Sequence, residues 1–111
     1  MKNKLSLTSN ELLAIKGLKE ILYSSFDITD IRLFGSKARG EDTPESDMDL
    51  MIEINKSTAD IISKIYDITF DINLEYDTSI SPVIFSKIEL EEGPLSESPL
   101  YKVIQKEGVV I

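Results

Sequence analysis

Cysteine and histidine are both absent from this chain of 111 residues. Without cysteine there are no disulfides and no thiolate metal sites, a pattern expected of a cytoplasmic protein. Without histidine there is no imidazole for general acid–base catalysis, for a Ser-His-Asp triad or for zinc. Catalysis is left to carboxylates, hydroxyls, Lys, Arg, Tyr or a metal. Any metal must be a hard cation held by oxygen, which points to magnesium, manganese or calcium. Positive charge is also scarce: 12 Lys and Arg stand against 20 Asp and Glu, for a net charge of −8. That excludes the basic surface needed for nonspecific nucleic-acid binding and leaves only a local basic patch at Lys37 and Arg39. The acidic excess favours a basic protein partner or a site that gathers carboxylates around a metal. No apolar run approaches the ~20 residues that span a bilayer. No apolar segment follows Met1-Lys2-Asn3-Lys4, so no secretory signal is expected.

An apolar fraction of 41% suffices for one core, and the length predicts a single domain over residues 1–111. Thr8-Ser9-Asn10-Glu11 reads as a capping box, with Leu7 and Leu12 as the hydrophobic staple. The helix it opens runs to about Ser24, with Leu12, Ile15, Leu18, Ile21 and Leu22 at helical spacing. Ile28 to Phe34 reads as a strand ended by Gly35, and Ser36 to Gly40 as a short helical turn. Glu41 to Ser46, with Pro44, reads as a loop. Asp47 to Ile54 is a second, largely buried strand. Ser57 or Thr58 caps a helix over about Thr58 to Tyr76, whose Ile61, Ile65, Ile68 and Ile72 form one buried stripe. Ser79 to Phe85 reads as a third strand, where Pro82 implies an edge or a bulge. Gly93-Pro94 marks a loop, Pro99 to Lys106 a last helix, and Gly108 to Ile111 a cap and an apolar tail against the core. The expected fold is α/β, in the order α-β-β-α-β-α, with a small mixed sheet of three to four strands flanked by helices.

Two short motifs carry the chemistry. Gly35-Ser36 ends one strand; Asp47-Met48-Asp49 begins the next after ten intervening residues. Glycine tolerates positive φ and lets a ligand approach the backbone. A helical turn starting at Ser36 offers N–H groups to an anion. The Ser36 hydroxyl, Lys37 and Arg39 could add contacts to phosphate. By itself a Gly-Ser pair is far more often a turn with a cap. Residues two apart in a strand share a face, so Asp47 and Asp49 stand roughly 7 Å apart at Cα and can converge on a cation. By itself an acidic run such as Glu41, Asp42, Glu45, Asp47 and Asp49 is more often a solvated loop. The joint pattern is far more specific: strand, Gly-Ser, ten residues, Asp-x-Asp, strand. It implies handling of a nucleoside triphosphate with a divalent cation.

That pattern resembles the signature of the DNA polymerase β-like nucleotidyltransferase superfamily. Ala38-Arg39-Gly40 and the closing Tyr101-Lys102-Val103-Ile104-Gln105-Lys106-Glu107-Gly108-Val109 are similar to its minimal nucleotidyltransferase (MNT) branch. The resemblance implies that Gly35 and Ser36 hold the triphosphate of ATP, with Lys37 and Arg39 nearby. It implies that Asp47 and Asp49 bind catalytic Mg²⁺, two ions in the full arrangement. A third carboxylate usually stands on the following strand. Here Ser81 occupies or adjoins that position, and Asp77 is the nearest substitute, though it reads more simply as a helix-end residue.

MNT proteins are typically paired with a HEPN-domain protein. The resemblance therefore implies an MntA-type antitoxin that transfers AMP from ATP to a hydroxyl, expected to be tyrosine, of a HEPN ribonuclease toxin. Two alternatives remain open at this point. One is a binding module that neutralises the HEPN partner by contact. The other is a small-molecule enzyme of the aminoglycoside-modifying type, disfavoured because those usually add a helical domain for the acceptor. Tyr23, Tyr66, Tyr76 and Tyr101 read as packing or interface residues.

Overall fold

The computed structural model describes residues 7–40 and 46–111, and for Leu95 and Ser96 the backbone alone. The loop expected at Glu41 to Ser46 lies, up to Glu45, outside the described residues, as does the segment Met1 to Ser6. Helix α1 (Ser9–Ser25) leads into β1 (Ile28–Phe34), the short α2 (Ser36–Arg39) and β2 (Met48–Ile54). Helix α3 (Ala59–Tyr76), β3 (Ile80–Ser86), α4 (Lys87–Glu92), a 3-10 turn (Pro94–Glu97), α5 (Pro99–Glu107) and β4 (Val109–Val110) complete the order.

The capping box forms as the sequence implies. The Glu11 N–H donates to Thr8 Oγ1 at 3.1 Å, and the Thr8 N–H donates to Glu11 Oε1 at 2.9 Å. Thr58, rather than Ser57, caps α3 by accepting from the Ile61 N–H at 3.2 Å. The buried face of α1 is Ala14, Ile15, Leu18 and Leu22. Leu12 and Ile21, expected in that stripe, remain substantially exposed because they flank its two sides.

The sheet runs β3-β2-β1-β4. β1 is antiparallel to β2 and to β4, while β2 is parallel to β3. The parallel pair is joined through α3, as a parallel connection requires. Both faces of the sheet are covered, which is why β2 is apolar almost throughout. On one face Leu33, Leu50 and Ile52 pack with α1 and α3 through Leu18, Leu22, Ile65 and Ile72. On the other, Phe34, Met51 and Phe85 pack with Leu90 of α4 and Ile104 of α5. A register shift between Ile28 and Asp30 returns Ile28 to the first core, on the side of Ile31.

Pro82 lies on an edge strand, one of the two positions its missing N–H allows. Two features depart from the expectation. Residues 87–92 form a helix where the sequence marks only an approach to the Gly93-Pro94 loop. The tail does more than pack: Val109 and Val110 pair with Leu33 and Arg32 as a fourth strand. Among the described residues, no helix is long and apolar enough to cross a membrane.

Candidate nucleotide and metal site

The antiparallel register of β1 and β2 places Phe34 opposite Asp49. The chain leaves β1 at the next residue, so the Gly35-Ser36 turn folds against the start of β2. Gly35 adopts φ 79° and ψ −159°, a region essentially restricted to glycine. A Cβ at this position would lie 2.3 Å from Asp49 Oδ2. The backbone of the Gly-Ser turn and the Asp49 carboxylate are therefore in contact, and only glycine permits it. Ser36 opens α2, with the Ala38 and Arg39 N–H groups donating back to the Gly35 carbonyl at 3.1 and 3.2 Å. Gly40 closes the turn in the left-handed conformation, φ 73°.

Asp47 is exposed immediately before β2, and Asp49 is half-buried within it. Strand periodicity turns Asp49 to the face that carries Met51, and Asp47 lies close enough for its charge to act on Asp49. Burial raises the Asp49 carboxyl above its ordinary value, the adjacent Asp47 raises it further, and Arg39 partly offsets both. Desolvation and like charge both penalise the carboxylate form. A hard cation with oxygen ligands would remove that penalty, and magnesium is commonly held by one or two carboxylates plus substrate phosphates. The donor set at Asp47 and Asp49 fits such an ion.

The two basic residues of the motif have partners within the fold. The Lys37 side chain is buried, 3% exposed, and its ammonium lies 3.1 Å from Glu11 Oε2. It thus ties α2 to the capping box of α1. Arg39 Nη1 lies 2.8 Å from Glu107 Oε1, tying α2 to the last turn of α5 while its charge still acts on Asp49. Neither ion pair is legible in the sequence. The members of the first are 26 residues apart and of the second 68, so no local spacing rule could flag them.

A family model described as a nucleotidyltransferase domain matches residues 15–111. The chain belongs to this family. It is 49% identical over 39 residues to "Putative protein adenylyltransferase MJ1379" of Methanocaldococcus jannaschii, covering 35% of this chain and 39% of that protein. It is 38% identical over 73 residues to "Putative protein adenylyltransferase MJ0141" of the same organism, covering 65% and 72%. The match thus spans about two fifths of the first relative and nearly three quarters of the second. A crystal structure described as a putative nucleotidyltransferase from Sulfolobus solfataricus shares the fold, with TM-score 0.57 and 20% identity over 89% of this chain and 77% of that one.

The nucleotidyltransferase fold sharpens the question of the third carboxylate. Ser81 of β3 is the register partner of Asp49, so a hydroxyl stands beside the Asp-x-Asp pair on the neighbouring strand. Asp77 is the C-cap of α3 in the left-handed conformation, φ 53°, with its backbone N–H donating to the Asn73 carbonyl. Asp tolerates that conformation better than most residues. Asp77 is exposed and serves the helix end. Among the described residues, no group of three carboxylates is placed to hold a metal ion.

Proposed function

We propose that this chain transfers AMP from ATP to a hydroxyl on a partner protein, in a reaction that depends on magnesium. One observation carries the reading: Gly35, in a conformation only glycine holds, lies against the Asp49 carboxylate. Phosphate contacts at the Gly-Ser turn and metal contacts at Asp47 and Asp49 would then be made on one bound nucleotide.

In this reaction the acceptor oxygen attacks the α-phosphorus of ATP. The new O–P bond forms as the bond from the α-phosphorus to the α,β-bridging oxygen breaks. Pyrophosphate leaves, and the hydroxyl proton passes to solvent. Gly35 and Ser36 orient the triphosphate through backbone N–H groups and the Ser36 hydroxyl. Asp47 and Asp49 hold the cation. The ion, when bound, neutralises charge developing on the phosphoryl and leaving oxygens. Lys37 and Arg39 hold the turn through Glu11 and Glu107, and Arg39 adds positive charge near Asp49.

A HEPN ribonuclease toxin is the partner in this reading, and the chain is its antitoxin in the cytoplasm. The MNT resemblance supports this partner, the net charge of −8 suits a basic one, and the protein adenylyltransferase names of the two relatives support a protein acceptor. Asp47→Ala combined with Asp49→Ala is expected to abolish magnesium-dependent transfer of label from [α-³²P]ATP to the purified HEPN protein. Undiminished transfer would refute the assignment.

Ser81 favours a second reading, in which the chain neutralises its partner by contact. The same double variant would then still protect against the toxin while transferring nothing.

A further inference from the structure

The outward side of α3 carries two parallel ridges. Tyr66, Phe70 and Leu74 recur at every fourth residue and are 47%, 62% and 67% exposed. One position on, Asp67, Asp71 and Glu75 recur at the same step, all exposed. A single residue turns the helix by about 100°, so the acidic ridge runs alongside the apolar one. Scattered surface apolars need no explanation, but a contiguous row beside a groove does. That groove, of about 390 Å³, lies between α3 and β3 and is lined by Tyr66, Phe70, Asn73, Ile80 and Pro82 among others.

β3 is an edge strand, yet its edge is closed where it borders the groove. The Asn73 side chain acts as a bracket: Nδ2 donates to the Ile80 carbonyl at 3.1 Å, and Oδ1 accepts from the Ile80 N–H at 2.8 Å. Two residues on, Pro82 has no N–H to offer. Such devices block strand addition. An occupant must therefore pack side chains onto the ridge, as a helix does.

Charge decides which helix. An antiparallel two-fold pairing of α3 with a second copy would set the acidic ridge against its own image. A parallel pairing would give that ridge no counter-charge. The only lysine of α3, Lys64, is engaged with Asp60 at 3.1 Å. A complementary occupant carries a basic row beside its apolar face.

We propose that the Tyr66–Phe70–Leu74 ridge docks an amphipathic helix of a partner protein whose apolar face is flanked by Lys or Arg. Ile80 and Pro82 in the groove alternate with Ser81, the register partner of Asp49, so they face the α3 side of the sheet while Ser81 and Asp49 face the other. A partner docked on α3 is thus held at the β3 edge, across the sheet from the candidate transfer site. The proposal rests on the reading that the acceptor is a protein. Its test measures binding rather than transfer, so the two can fail separately.

The probe is a fluorescein-labelled synthetic helix with a leucine ridge flanked by arginines, titrated with the full chain and read by anisotropy. Its twin carries glutamates in place of the arginines. The arginine-flanked helix is expected to bind at least about tenfold tighter than the twin, a difference of about 1.4 kcal/mol. Phe70→Asp is expected to weaken it about tenfold or more, although this substitution adds negative charge and would strengthen a merely electrostatic attraction. Reversing the ridge with Asp67→Lys, Asp71→Lys and Glu75→Lys is expected to invert the preference between the helices. All these positions are exposed, and circular dichroism checks that the variants fold. Equal affinity for both helices, no binding of either, or undiminished binding by Phe70→Asp would overturn the proposal. So would a wild-type dimer in sedimentation analysis that Phe70→Asp dissolves, which would assign the ridge to a second copy.

Discussion

Gly35→Ala is expected to lose both stability and activity, through two separable causes. The first is the backbone. At φ 79° and ψ −159°, a residue with a Cβ is strained by about 1–3 kcal/mol, which in a domain of this size lowers Tm by about 5–15 °C. The second is the site. The added Cβ would stand 2.3 Å from Asp49 Oδ2, and the carboxylate is the softer of the two and must swing away. Displacing a reacting or positioning group by about 1 Å can cost 10²-fold in rate, so transfer should fall by at least that factor. Thermal denaturation and single-turnover label transfer measure the two losses independently. A variant with unchanged Tm and unchanged transfer would show that the turn and Asp49 do not meet as described.

Asp49→Asn is expected to move stability and function in opposite directions. Burial and Asp47 together raise the Asp49 carboxyl above its ordinary value. The folded chain therefore binds a proton more readily at this residue than the unfolded chain does. Between the unfolded and the raised folded value, the folded state holds more protons, so stability contributed by Asp49 falls as pH rises through that window. Above the window the ionised carboxylate is a net burden on the metal-free fold. A neutral amide in its place removes that burden. In chelator, the Asp49→Asn variant should melt above wild type at neutral pH, with the gap closing as pH drops below the carboxylate range. Transfer should fall by about 10²–10³-fold or more, the loss typical of removing one electrostatic element of a catalytic site. A lower Tm at neutral pH would mean that Asp49 is stabilising as an anion, contrary to the environment seen around it. Sites that trade stability for function in this way are common.

The features that are legible in the sequence are those whose residue types have few uses. Gly35 before Ser36, and Asp47 two residues before Asp49, are rare enough in combination to place the turn and the carboxylates at adjoining strand ends. Thr8 and Glu11 announce their helix start for the same reason, and Pro82 narrows its strand to an edge or a bulge, of which the structure shows the edge. What escapes has no local signal. The six residues of α4 are too few for helical periodicity to show, and the two residues of β4 are recognisable only by the strand they join. Glu11–Lys37 and Arg39–Glu107 are tertiary pairs. They explain why a motif that reads as a basic patch is, at Lys37, a buried strut. Leu12 and Ile21 fit the helical period yet sit at the margins of the buried face, because a stripe drawn from spacing alone is wider than the contact that covers it.

Calorimetric titration of the purified chain with ATP, with and without magnesium, tests the central assignment most directly when wild type is compared with Asp47→Ala. The account predicts binding by wild type that requires magnesium and is absent in the variant. Equal binding by the two proteins, or none by wild type in the presence of magnesium, would contradict it.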